Sequence, residues 1–74
     1  MNAAYEKEIG QRIRSFREKK KLTQEQLSAQ LQVNGCDITR SALAKIEVGQ
    51  RHIYPDEIRL FVKLLGISYS DLLD

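Results

Sequence analysis

Three side chains able to grip a polar partner fall in one stretch, Arg40-Ser41-Ala42-Leu43-Ala44-Lys45. Arg40 offers a planar fork that matches the two acceptors on the edge of a guanine, Lys45 offers a mobile ammonium, and Ser41 can donate or accept. Their spacing decides whether they act together. At about 100° per residue of helix, Leu43 and Ile46 share the face that must be buried, and Ser41 and Lys45 lie directly opposite. Ala42 and Ala44 flank that outer face, and Arg40 stands at its N-terminal end. Small residues let a backbone approach a groove floor closely, and Ala42 or Ala44 could touch a thymine methyl. Without a supporting fold, Arg40 and Lys45 would be ordinary surface charges.

Bond-making chemistry has little to work with. There is one histidine, His52, one cysteine, Cys36, no cluster with metal-ligand spacing and no phosphate-cradling glycine loop, so neither an enzyme nor a cofactor or metal site is expected. The 74 residues fit one small domain. A lone cysteine suits a reducing compartment. No apolar run reaches the roughly 18 residues of a membrane span, and the first residues lack the blocks of a signal peptide, so a cytoplasmic location is expected. Cys36 has no obvious activating neighbour, and such a thiol is usually inert.

The net charge of +2 conceals a division. Residues 1–22 hold seven cations (Lys7, Arg12, Arg14, Arg17, Lys19, Lys20, Lys21) against Glu6, Glu8 and Glu18, whereas residues 52–74 set Arg59 and Lys63 against Asp56, Glu57, Asp71 and Asp74. The basic end suits a polyanion.

The elements that must position these residues are written in capping signals. Ile9, Ile13 and Phe16 recur at helical spacing and predict a first helix over roughly Tyr5 to Lys20. Leu22-Thr23-Gln24-Glu25-Gln26-Leu27 then supplies Thr23 as cap, Gln26 as its capping-box partner, and Leu22 with Leu27 as hydrophobic staple. The second helix should stop near Asn34-Gly35. Ile38-Thr39-Arg40-Ser41-Ala42-Leu43 repeats the signal without completing the box, and Ile67-Ser68-Tyr69-Ser70-Asp71-Leu72 repeats it with Asp71 in place. Pro55 suits the first turn of a fourth helix carrying Ile58, Phe61, Val62 and Leu65. No stretch alternates long enough to be a strand, so the fold class is all-α with five short helices.

Helices two and three, preceded by a basic helix, form the pattern of a helix-turn-helix. Ile13-Arg14-x-x-Arg17, Leu22-Thr23-Gln24-Glu25-Gln26-Leu27, Arg40-Ser41-x-Leu43-x-Lys45-Ile46-Glu47-x-Gly49 and Leu64-Leu65-Gly66-Ile67-Ser68-x-x-Asp71-Leu72-Leu73 resemble the phage repressor and Cro type of helix-turn-helix domain, the xenobiotic-response-element family of bacterial regulators. The resemblance covers residues 9–73, with the helix-turn-helix at about 23–47. It implies a five-helix repressor-like domain that binds double-stranded DNA at an inverted repeat as a homodimer and regulates transcription, as a repressor.

Arg40, Ser41, Ala44 and Lys45 are the expected base contacts. Gln24, at the first turn of helix two where free N–H groups favour a phosphate, is expected on the backbone with Thr23. Lys20 and Lys21 add a phosphate field, and Arg51 and His52 occupy a loop that in this family touches the backbone beyond the recognition helix. The resemblance pairs Arg17 with Glu47 in a salt bridge, both being turned inward by their helices' periodicity. One departure from the family pattern is the connection Asn34-Gly35-Cys36-Asp37-Ile38, which is about five residues longer than usual and leaves the pitch of helix three open. Helices four and five, with Tyr54, Phe61, Val62, Ile67, Tyr69 and Leu73, hold more apolar residues than one small core needs and are the expected dimer surface. No sensor region is expected, so control would come from concentration, degradation or a regulatory protein partner. The competing class is a protein-interaction module, such as an antitoxin or anti-repressor, in which DNA binding is secondary or absent.

Overall fold

A computed structural model of the chain describes residues 2–74. Five helices follow in order: α1 (Ala3–Lys19), α2 (Gln24–Val33), α3 (Arg40–Glu47), α4 (Pro55–Leu65) and α5 (Tyr69–Leu73). No strand occurs among the described residues. The starts are where the capping signals put them. Thr23 Oγ1 accepts from the Gln26 N–H at 3.0 Å while Gln26 Oε1 accepts from the Thr23 N–H at 2.9 Å, and Ser68 and Asp71 make the same reciprocal pair. Thr39 accepts from Ala42 at 3.1 Å. Helix α1 begins two residues earlier than its apolar spacing predicts, because the Asn2 side chain caps the amides of Ala4 and Tyr5.

The first four helices end alike. At each C-terminus one residue has positive φ, and the next amide reaches back to a carbonyl five residues earlier: Leu22 to Arg17, Cys36 to Leu31, Gln50 to Lys45 and Ile67 to Val62. This satisfies carbonyls the helix leaves open. In α2, α3 and α4 the left-handed residue is glycine, but in α1 it is Lys21, at φ 59°. Strain of this kind at a non-glycine residue costs on the order of 1 kcal/mol.

The core gathers one face of every helix: Ile9 and Ile13 from α1, Leu27 and Leu31 from α2, Leu43 and Ile46 from α3, Ile58, Phe61 and Leu65 from α4, and Leu72 from α5, with Ile38 and Ile53 from loops. Phe61 corrects an expectation. It is fully buried and unavailable to a partner, because its spacing from Ile58 and Leu65 keeps it on the inward face of α4. The approach of α1 to α3 is close. A Cβ on Gly10 would meet the Ile46 carbonyl oxygen and Glu47 Cα, so α3 lies directly against the α1 backbone.

The long connection between α2 and α3 is fastened at both ends. Cys36 donates to Leu31, Ile38 is fully buried, and Gln32 Nε2 donates to the Ile38 carbonyl at 3.3 Å. The connection runs over the surface through the exposed Asn34, Gly35 and Asp37 and leaves the staple residue Ile38 in the core.

Candidate nucleic-acid interface

Burial of Leu43, Ile46 and Glu47 sets the rotation of α3. Arg40, Ser41 and Lys45 are exposed and Ala44 is half-buried, so the four share the outward side of one helix. None of the four makes a side-chain hydrogen bond or ion pair with another described residue, which leaves their polar groups open to an external partner.

What holds that face is a clamp behind it. Arg17 Nε donates to Glu47 Oε2 at 2.8 Å and Arg17 Nη2 to Glu47 Oε1 at 3.1 Å, a bidentate pair buried between α1 and α3. Arg17 Nη1 donates to the Leu22 carbonyl at 2.8 Å, and Gln24 Nε2 donates to Glu47 Oε1 at 3.1 Å. One carboxylate therefore fixes three things together: α1, the entry to α2 and the C-terminal end of α3. Glu47 in turn holds the Arg17 guanidinium above its ordinary pKa range.

The residues expected on phosphates fall into four environments. Thr23 and Gln24 lie at the N-terminus of α2 in a cleft of about 520 Å³ that Arg14, Arg17, Glu25 and Arg40 also line. Arg14 is the cation there that capping and periodicity did not single out; it is exposed, with only a loose contact of 3.6 Å to Glu18. Lys21 is exposed at the corner between α1 and α2. Lys20 is drawn away from the α2 entry, since its Nζ donates to the Leu64 carbonyl at the end of α4 at 2.9 Å.

Arg51 and His52 are both tied into the protein. Arg51 grips Glu57 through Nη1 and Nη2 at 2.9 and 3.0 Å and also donates to the His52 carbonyl. His52 Nδ1 lies 2.8 Å from Glu6 Oε1, while Glu6 Oε2 accepts from the Ile53 N–H at 2.9 Å. Glu6 is buried, and its carboxyl is held below its ordinary pKa by the Ile53 amide first and by His52 second. For Glu57, burial pushes the pKa up, but Arg51 and the Tyr54 amide outweigh it and the net displacement is downward. Neither acid was legible as part of the site: each is one more charge in an amphipathic helix until the loop 51–53 folds onto it.

The outcome is a helix-turn-helix whose second helix presents an open polar face, with cations at both ends. Residues 10–74 match the model of a helix-turn-helix domain family. The chain is also similar to control protein C.BamHI of Bacillus amyloliquefaciens, 36% identical over 67 residues, which cover 89% of this chain and 76% of that protein. No solved structure matches it significantly. No described helix is long and apolar enough to cross a membrane. Sequence, geometry and these comparisons agree that the chain belongs to the helix-turn-helix domain family and is a DNA-binding transcriptional regulator.

Proposed function

We propose that the protein acts as a sequence-specific repressor, binding an inverted-repeat operator as a homodimer in the cytoplasm, with α3 in the major groove. The observation that carries this reading is the open outward side of α3, with Arg40, Ser41, Ala44 and Lys45 held in place by the buried Arg17–Glu47 clamp. Arg40 at the helix start suits guanine, Lys45 a second base one turn further, and Ser41 and Ala44 the floor between them. Thr23, Gln24, Lys21 and Arg14 grip the phosphates on one side. Arg51 and His52 grip them at the other end of α3, and Lys20 contributes through the general field.

The dimer face lies on α4, α5 and the residues flanking them, where Tyr54 and Tyr69 are about half exposed and Val62, Ile67 and Leu73 are half-buried. Arg12 and Tyr5 support it by donating to the Leu72 and Leu73 carbonyls at 3.0 and 2.6 Å, which fastens α5 to α1. Sedimentation at micromolar concentration tests this part: a dimer is expected, and a monomer at high concentration refutes it.

Salt dependence tests the DNA reading. Affinity for a duplex should fall steeply as salt rises, with a slope of about 0.9 for each phosphate contacted. A salt-insensitive affinity favours the interaction-module alternative.

A further inference from the structure

His52 does not lie free on its loop. Glu6 is ionised at neutral pH and can only accept, so the ring nitrogen facing it, Nδ1, must carry a hydrogen. That fixes the other nitrogen. In the neutral ring Nε2 then presents a bare lone pair, and in the protonated ring it presents an N–H and a positive charge. The His52 side chain is 76% exposed while that of Glu6 is 4% exposed, so the ring is anchored on its inner edge and open on its outer one. It stands five residues beyond Glu47, where α3 ends, on the rim of a cleft lined by Ala3, Gly49, Gln50 and Arg51.

From this geometry, and resting on the DNA-binding reading, we propose that His52 is a proton-dependent phosphate contact and Glu6 the residue that positions it. A neutral Nε2 lone pair repels a phosphate oxygen; a protonated Nε2–H donates to it. The charged groups beside the ring are Glu6 of α1 and Arg51, which is bound to Glu57 of α4 and to the His52 carbonyl; Tyr54 shares the same cleft. A DNA phosphate adds a second anion on the open side, so binding DNA should promote protonation, and protonation should promote binding by the same factor.

Because His52 is the single histidine in the chain, its imidazole resonances report on it alone. The experiment is a proton NMR titration of the free protein and of its complex with a duplex selected from a random pool, together with duplex affinity across the same pH range. The expected result is a midpoint raised by about one pH unit in the complex, and binding about tenfold tighter at the acid end of the range. His52→Gln, a change at an exposed position, should abolish the pH dependence, and His52→Lys should keep tight binding across the range. Glu6→Gln keeps an acceptor for Ile53 but removes the carboxylate that holds Nδ1, and should reduce the gain in binding at the acid end of the range. An unchanged midpoint on binding, or a pH dependence that survives in His52→Gln, overturns the proposal while leaving DNA binding intact. A chain that binds no duplex at any pH overturns the DNA-binding reading and the proposal together.

Discussion

Replacing Glu47 with glutamine changes one atom and should come close to unfolding the domain. The Glu47 side chain is 1% exposed and that of Arg17 10%, so the guanidinium left behind would be a buried cation without a counter-ion. Removing one partner of such a pair costs about 3–5 kcal/mol. A chain of this length has on the order of 4–11 kcal/mol in total. At roughly 4–8 °C per kcal/mol for a domain of this size, Glu47→Gln should lower the melting temperature by about 12–40 °C. Thermal unfolding followed by circular dichroism reads this directly. Arg17→Met combined with Glu47→Leu separates charge from packing: replacing both ions by apolar side chains is often neutral or stabilising. The double variant should therefore melt near the parent, yet bind DNA more weakly, because Gln24 loses its acceptor on Glu47 and the α2 entry loses its tie to α3. A Glu47→Gln protein melting within about 2 °C of the parent would show the pair to be solvated and the clamp argument wrong.

Four further outcomes are expected. Gly10→Ala should destabilise severely, by roughly 3 kcal/mol or more, since its Cβ would overlap the Ile46 carbonyl and backbone cannot give way as a side chain can; denaturant unfolding measures it, and a loss below about 0.5 kcal/mol would contradict the close approach of α1 to α3. Lys21→Gly should gain about 1 kcal/mol by relieving the left-handed residue, while weakening duplex binding and its salt slope by about one contact, so the two readouts move in opposite directions. Glu6 and Glu57 have depressed carboxyl pKa values, so their contribution is full at neutral pH and disappears as the pH falls through the folded values; denaturation midpoints should hold to about pH 5 and drop below about pH 4, and a drop beginning near pH 6 would point to another group. Burial, and after it the negative charges of Glu57 and Asp56, push the Cys36 thiol up, so it should react with a disulfide reagent at neutral pH more slowly than free cysteine.

Local grammar carried the fold. Thr23, Thr39 and Ser68 cap where sequence places them because a cap is a property of about six consecutive residues, and Leu43 and Ile46 fix the rotation of α3 by periodicity alone. Features that depend on which elements meet were legible only where the family resemblance supplied them, as in the Arg17–Glu47 pair. Gly10 sits in the middle of a helix, where it is unfavourable on propensity, and only the arrival of α3 explains it. Lys20 and Lys21 look equivalent in the lysine run, yet one is drawn to the end of α4 and the other takes the strained corner. Glu6 and Glu57 count as solvated charges until residues 51–53 bring them Arg51, His52 and an amide. Phe61 shares the spacing of Ile58 and Leu65 and so belongs to the core stripe of α4; counting it with the dimer residues set that spacing aside.

The central claim is that the outward face of α3 reads DNA bases. Selecting bound duplexes from a random pool, in parallel for the parent and for Arg40→Ala, tests it most directly. The expected result is an enriched inverted repeat with half-sites about one helical turn, or a multiple of it, apart, and for Arg40→Ala a loss of about 1–3 kcal/mol with preference relaxed at one symmetric pair of positions. Enrichment of no sequence by the parent, or an unchanged preference in Arg40→Ala, would contradict it.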